Sequence, residues 1–189
     1  MNGLSSVLAA FGLSASAGLN AYIPLLIVSL MARFTNWVTL SEPWDALSSW
    51  WVIGALALLT LVEFFADKFP AVNHVNDAIQ TFVRPAAGAV LFAASTGAAT
   101  KIHPVVAIIA GLLIAGSVHA TKALAIRPAV TATTAGAGNV PVSILEDLVA
   151  AGISILAVIV PVLIAALIIV VTAFVVWWLW RRANTSQAA

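Results

Sequence analysis

The chain has 189 residues, of which 62% are hydrophobic and 8% charged, with a formal net charge of +1 and no cysteine. A soluble domain is about half apolar and about a quarter charged, so a water-soluble globule is excluded. An all-α integral membrane helical bundle is expected instead, a single domain over residues 1–182 with a short polar tail at 183–189. Without cysteine there are no disulfides or thiolate sites, and without a basic run nothing points to nucleic acid.

A spanning helix needs about 20 mostly apolar residues, and six runs meet or approach that length. The first, 4–31, opens with "GLSSVLAAFGLSASAG", whose Ala15-Ser16-Ala17 triplet is like a leader-cleavage site. No Lys or Arg precedes Arg33 and the apolar character continues to Met31, so the run reads as a retained span. Inside it, "SAGLNAYIP" places Gly18, Asn20 and Pro24 where a helix is weakened. The second run is 50–66, the third 85–99 and the fourth 104–120. The fifth, 128–145, is weak and interrupted by "TAGAGNVP", with Gly136, Gly138, Asn139 and Pro141. The sixth, 152–180, carries Pro161 as an expected kink.

Six spans leave both termini on one side. Loops on that side hold Lys68, Arg84, Lys122, Arg127, Arg181 and Arg182, and the other side holds Arg33 and Lys101. The positive-inside rule makes the richer side cytoplasmic, giving a multi-pass cell (inner or plasma) membrane protein with both termini in the cytoplasm. All seven tryptophans, Trp37, Trp44, Trp50, Trp51, Trp177, Trp178 and Trp180, fall near expected span ends, where indole rings anchor at the lipid interface.

Two patterns recur. Ala-Gly followed by Asn and Pro breaks both the first and the fifth run. Paired broken helices of this kind point to a transporter site, although close packing through small residues explains each alone. "ADKFP…VRPAAGAV" also echoes "ATKALAIRPAVTAT". Each reads as a helix ending in Lys, a cytoplasmic loop, and Arg-Pro-Ala opening the next helix. Lys68, Arg84, Lys122 and Arg127 are thereby candidates to attract an anion at helix N-termini, the plainer reading being ordinary cytoplasmic charges.

The stretch "VEFFADKFPAVNH" stands out because it gathers Glu63, Asp67, Lys68 and His74 at the end of a greasy run. Glu63 and Asp67 share a helix face, and Glu63 lies a turn deeper. A charge inside a span is costly and is a functional hypothesis with a partner to be named. Glu63 can carry a proton. It can also bind a hard cation with Asp67, Asp77 or the Glu146-Asp147 pair. The plainest use is an ion pair to Lys122 or Arg127. His74, His103 and His119 show no paired metal spacing, so no metal or cofactor is expected. His119 suits either proton shuttling or packing. Glu146-Asp147 reads as the outer end of the weak fifth span. The candidate polar pathway is Asn20, Glu63, Asp67, His119 and Asn139.

"AGLNAYIPLL", "EFFADKFPAVNHVNDAIQTFVRPAAGAV" and "TAGAGNVPVSILED" resemble domain-of-unknown-function family 4126, small bacterial membrane proteins. The resemblance covers nearly the whole chain. It implies a polytopic helical fold and supplies no substrate or catalytic residue. Nucleotide loops, the zinc-protease motif and the nucleophile elbow are absent from the sequence, which argues against an enzyme. The leading reading is a small secondary transporter or channel for an ion or small anionic solute. Six helices are few for a monomeric carrier, which points towards a homodimer in the bilayer. The alternative is an accessory or scaffolding protein in envelope or lipid homeostasis. Third comes an enzyme acting on a lipid, with Glu63 or Asp67 as acid/base.

Overall fold

The computed structural model describes residues 3–66, 70–97, 100–161, 163, 169–177 and 181, with side chains described throughout except at 70–75 and 77. Asp67, Lys68, Trp178, Trp180 and Arg182 lie outside the described residues, as do the side chains of His74 and Asp77. The named elements are α1 (Gly3–Leu19), α2 (Tyr22–Phe34), α3 (Trp50–Ala66), α4 (Pro70–Gly97), α5 (Pro104–Thr121), α6 (Arg127–Thr134) and α7 (Asn139–Ile159). A 3-10 turn at Trp44–Ser48 precedes α3, and a π turn at Lys122–Ile126 joins α5 to α6. The fold is an all-α bundle.

The bundle is apolar outside and small or polar inside. Leu58, Leu61 and Val62 of α3, and Val106, Ile109 and Leu113 of α5, are exposed. The buried stripe of α5 is Ala107, Gly111, Ala115 and His119, four residues apart throughout. In α3 only Ile53, Leu56 and Glu63 are buried. So much outward apolar surface would aggregate in water, and it is the surface of a membrane-embedded chain. Among the described residues, three helices are long and apolar enough to cross a membrane: Ala78–Gly97, Pro104–Thr134 and Asn139–Ile159.

α1 occupies the centre, against α4, α5 and α7. Its contacts fix its direction. Ala10 packs with Phe92, Ala93 and Ala107, near the end marked by Trp44 and Ile102. Ser14 donates to the Gly88 carbonyl at 2.9 Å, and the Leu19 carbonyl accepts from Lys122. α1 therefore runs from the Trp44 end towards Lys122. α2 runs back: Phe34 meets Trp50 and Arg33 stacks on the same ring, so α2 finishes at the Trp44 end. The first apolar run is thus a hairpin of two half-length helices, about 25 and 20 Å long at 1.5 Å per residue, turning at Asn20. The expectation of a single crossing over 4–31 is corrected. The start of α1 and loop 35–49 lie at the same end of the bundle, where a single crossing would have put them on opposite sides.

Other spans are corrected too. The fifth run is no crossing. Residues 104–134 form one helical path, Ala135 and Gly136 take left-handed conformations (φ 50° and 88°), and α7 returns antiparallel. No loop separates Lys122 from Arg127. Pro128 has no N–H to donate and its ring crowds the carbonyl four residues back. The π turn accommodates this, with the Arg127 N–H bonded to the Lys122 carbonyl five residues earlier. Pro85 likewise lies inside α4. Neither Arg-Pro pair opens a helix at a loop, so anion capture at free helix N-termini is overturned. The sixth run begins earlier than expected: α7 starts at Asn139 and ends at Ile159, just before Pro161.

Candidate functional site

The polar side chains converge because each lies on its helix's buried stripe. In α4, Gln80, Arg84, Ala87, Leu91 and Ala94 are buried at steps of three and four. In α7 the stripe is Ser143, Asp147, Ala150, Ser154 and Ala157, with Glu146 beside it. Helical periodicity therefore carries charges inward along with alanines. Buried polar groups require partners, and the network supplies many of them.

Glu63 Oε1 accepts from Arg84 Nη2 at 2.9 Å, and both side chains are 0% exposed. Arg84 Nη1 lies 3.3 Å from His119 Nδ1, and His119 Nε2 lies 3.3 Å from Thr81 Oγ1. Tyr22 and Gln80 lie beside Glu63 and Arg84. A second group surrounds Glu146. Its Oε2 takes Lys122 Nζ at 2.9 Å and Arg127 Nη2 at 3.2 Å. The π turn lets these two cations, five residues apart, reach one oxygen. Beside them Asn20 Nδ2 donates to Asp147 Oδ1 at 3.0 Å.

Asn20 makes the hairpin possible. Its Oδ1 accepts from the backbone N–H of Tyr22 at 3.1 Å and of Ile23 at 3.0 Å, satisfying the start of α2 as a cap would. That leaves Nδ2 for Asp147, so each face of the amide has a partner. Ser16 ties α1 to α7 through the Ala150 carbonyl at 2.8 Å.

Of the expected pathway residues, Asn20, Glu63 and His119 meet in this network and Asp67 lies outside the described residues. Asn139 sits at the α6–α7 turn, where it accepts from Thr131 Oγ1 at 3.1 Å on an exposed surface. Of the expected anion-attracting residues, Arg84, Lys122 and Arg127 are buried and acid-paired, and Lys68 is outside the described residues. Glu63 pairs with Arg84 rather than Lys122 or Arg127. The placement of Glu146 and Asp147 at an outer span end is overturned: both are buried against α5, α6 and the Asn20 corner. Among the described residues no group of three or more His, Cys, Asp and Glu is placed to hold a metal ion. Gln80 and Tyr22 are absent from the expected pathway; Gln80 continues the buried stripe of α4 and Asp147 that of α7 at steps of three and four.

The two asparagines should separate cleanly. Asn20→Ala removes a cap worth about 1 kcal/mol and a hydrogen bond to a charged group worth about 1.5–3 kcal/mol. Asn139→Ala should stay within about 0.5 kcal/mol. Thermal denaturation in detergent reads both, and equal losses would refute the distinction.

An apolar-surfaced helical bundle with an internal ionic network defines a helical membrane protein. The chain belongs to the family described as domain of unknown function (DUF4126), whose model matches residues 7–182. No curated protein and no solved structure matches it.

Proposed function

We propose that the chain is a small transport protein that moves an ion or small anionic solute through the bundle. The observation that carries this reading is the chain reversal at Asn20, which ends two half-length helices inside the bundle against the buried charges. Irregular backbone at membrane depth persists only where protein buries it or it lines a wet path. Broken helices ending at charged groups are the construction secondary transporters use. Asn20, Glu63, Arg84 and His119 form the core of the path, approached past Lys122 and Arg127.

A scaffolding role is the second reading. What favours it is charge balance: among the described residues, the buried cations Arg84, Lys122 and Arg127 match the buried acids Glu63, Glu146 and Asp147. Wild-type protein in liposomes, given imposed gradients of cations, anions and protons, separates the two. Flux above protein-free vesicles is expected. No flux for any solute in the panel would leave the scaffold.

A further inference from the structure

We propose that the cavity at the Trp44 end of the bundle binds an organic ammonium ion, an amine or quaternary ammonium with a small apolar body. The site lies at the opposite end from the Asn20 corner and stands apart from the transport reading. The cavity holds about 270 Å³ between loop 41–44, the end of α4 and the start of α5. Buried Ala93 and Ala107 form its floor, and Pro43, Trp44 and Ile102 stand around it. Gly97 keeps the space open. A Cβ there would lie 3.2 Å from Ser41 Oγ and 3.7 Å from Trp44 Cδ1, so a long side chain at this position would enter the cavity.

The lining selects the ligand's chemistry. Among the described residues Glu42 is the one charged group around the cavity. It has no ion-pair partner among them either, since Arg84 is engaged by Glu63, and Lys122 and Arg127 by Glu146. A carboxylate against an apolar wall attracts a cation and repels an anion more strongly than it would in open water. The Thr96 hydroxyl is already spent on the Phe92 carbonyl at 2.8 Å. Trp44 and Ser41 are joined through the backbone alone, at 2.8 Å, so the serine hydroxyl and the indole N–H remain available to an oxygen near the ligand's nitrogen. A bare divalent cation suits the site poorly. Calcium takes about six to eight oxygen ligands, whereas most of this lining is indole, proline, isoleucine and alanine. An ammonium ion carrying carbon substituents meets both parts, with its charge at Glu42 and its body against Trp44 and Ile102. Two sources carry that chemistry: a free amine in the water, and the choline or ethanolamine head of a phospholipid, which the tryptophans of this end bring to the same level.

The test uses the full chain in an uncharged detergent. Benzylamine and choline are the cationic probes, benzyl alcohol the neutral control and benzoate the anionic one. Titration calorimetry should give saturable binding of an amine, and at ten times its Kd the melting temperature should rise by about 3–6 °C. Glu42 is exposed, so Glu42→Gln should fold as wild type does and weaken amine binding about fivefold. Gly97→Leu leaves Glu42 in place, fills the cavity and should abolish binding. Nanodiscs of mixed phosphatidylethanolamine, phosphatidylcholine and phosphatidylglycerol then separate the two sources, with bound lipid read by native mass spectrometry. An amine response without selective lipid retention assigns a free amine. Retention of the ammonium lipids over phosphatidylglycerol, lost in both variants, assigns the head group. Benzyl alcohol or benzoate binding as tightly as benzylamine would overturn the proposal. So would amine binding or ammonium-lipid retention that both variants leave untouched, or the lack of any amine response and any preference for ammonium lipids. If Gly97→Leu does not fold, Glu42→Gln decides.

Discussion

Glu63→Gln in anion-poor buffer should lower the melting temperature of the detergent-solubilised protein by about 10 °C. Breaking a buried ion pair by removing one partner costs about 3–5 kcal/mol, because the other charge stays buried and uncompensated. For a chain of this size each kcal/mol shifts the midpoint by about 2–4 °C. Glutamine keeps the volume and still accepts the 2.9 Å hydrogen bond from Arg84, so packing is preserved and the loss reports charge. Combining Glu63→Gln with Arg84→Met removes both charges and should recover most of the stability, since apolar replacement of a whole buried pair is often neutral or better. A double-mutant cycle measures this. If the double variant is as unstable as the sum of the singles, the pair does not act as a unit and the electrostatic account fails.

The second large effect is steric. At Gly88 and Gly111 the α4 and α5 backbones touch. A Cβ on Gly88 would lie 2.7 Å from the Gly111 carbonyl oxygen, and one on Gly111 would lie 2.8 Å from the Ala89 Cα. Backbone on both sides cannot yield as a side-chain tip can. Gly111→Leu should therefore force the helices apart, costing upwards of about 3 kcal/mol and the alignment of Arg84 with His119. Gly116, on the same helix, is the control. Its added Cβ would meet only the Pro85 ring, at 3.8 Å. Gly116→Ala should be neutral or stabilising by up to about 1 kcal/mol, from helix propensity. Yield of monodisperse protein and thermal midpoint check both. Equal tolerance at the two positions would remove the crossing from the account.

Helix content, the apolar exterior and a break near Asn20 were readable in one dimension, because composition and local backbone preference set them. The second run, 50–66, coincides with α3. The break at "AGLNAYIP" is real, and its reason is local: the Asn20 side chain caps the residues two and three ahead. What failed was the reading of proline. Pro85 and Pro128 obey the rule for first helical positions, but the same residue is tolerated inside a helix when packing or a π turn absorbs the lost hydrogen bond. From that one error followed a loop between Lys122 and Arg127, a fifth crossing, and Glu146 and Asp147 at the wrong end.

The depth of Glu63 was legible from its place on an apolar helix; its partner was not. Arg84 lies 21 residues away, and Lys122 pairs with Glu146 across two changes of helix. By itself the sequence determined that this is a helical membrane chain, that it carries more charge than lipid tolerates unpaired, and that its first apolar run breaks at Asn20. Only the tertiary structure decided which charge neutralises which, and that the broken run turns back on itself. The physical reason is one of range. Periodicity, capping and burial cost act within a turn or two of helix, whereas ion pairing in a bundle is chosen by which buried stripes the crossing glycines allow to meet.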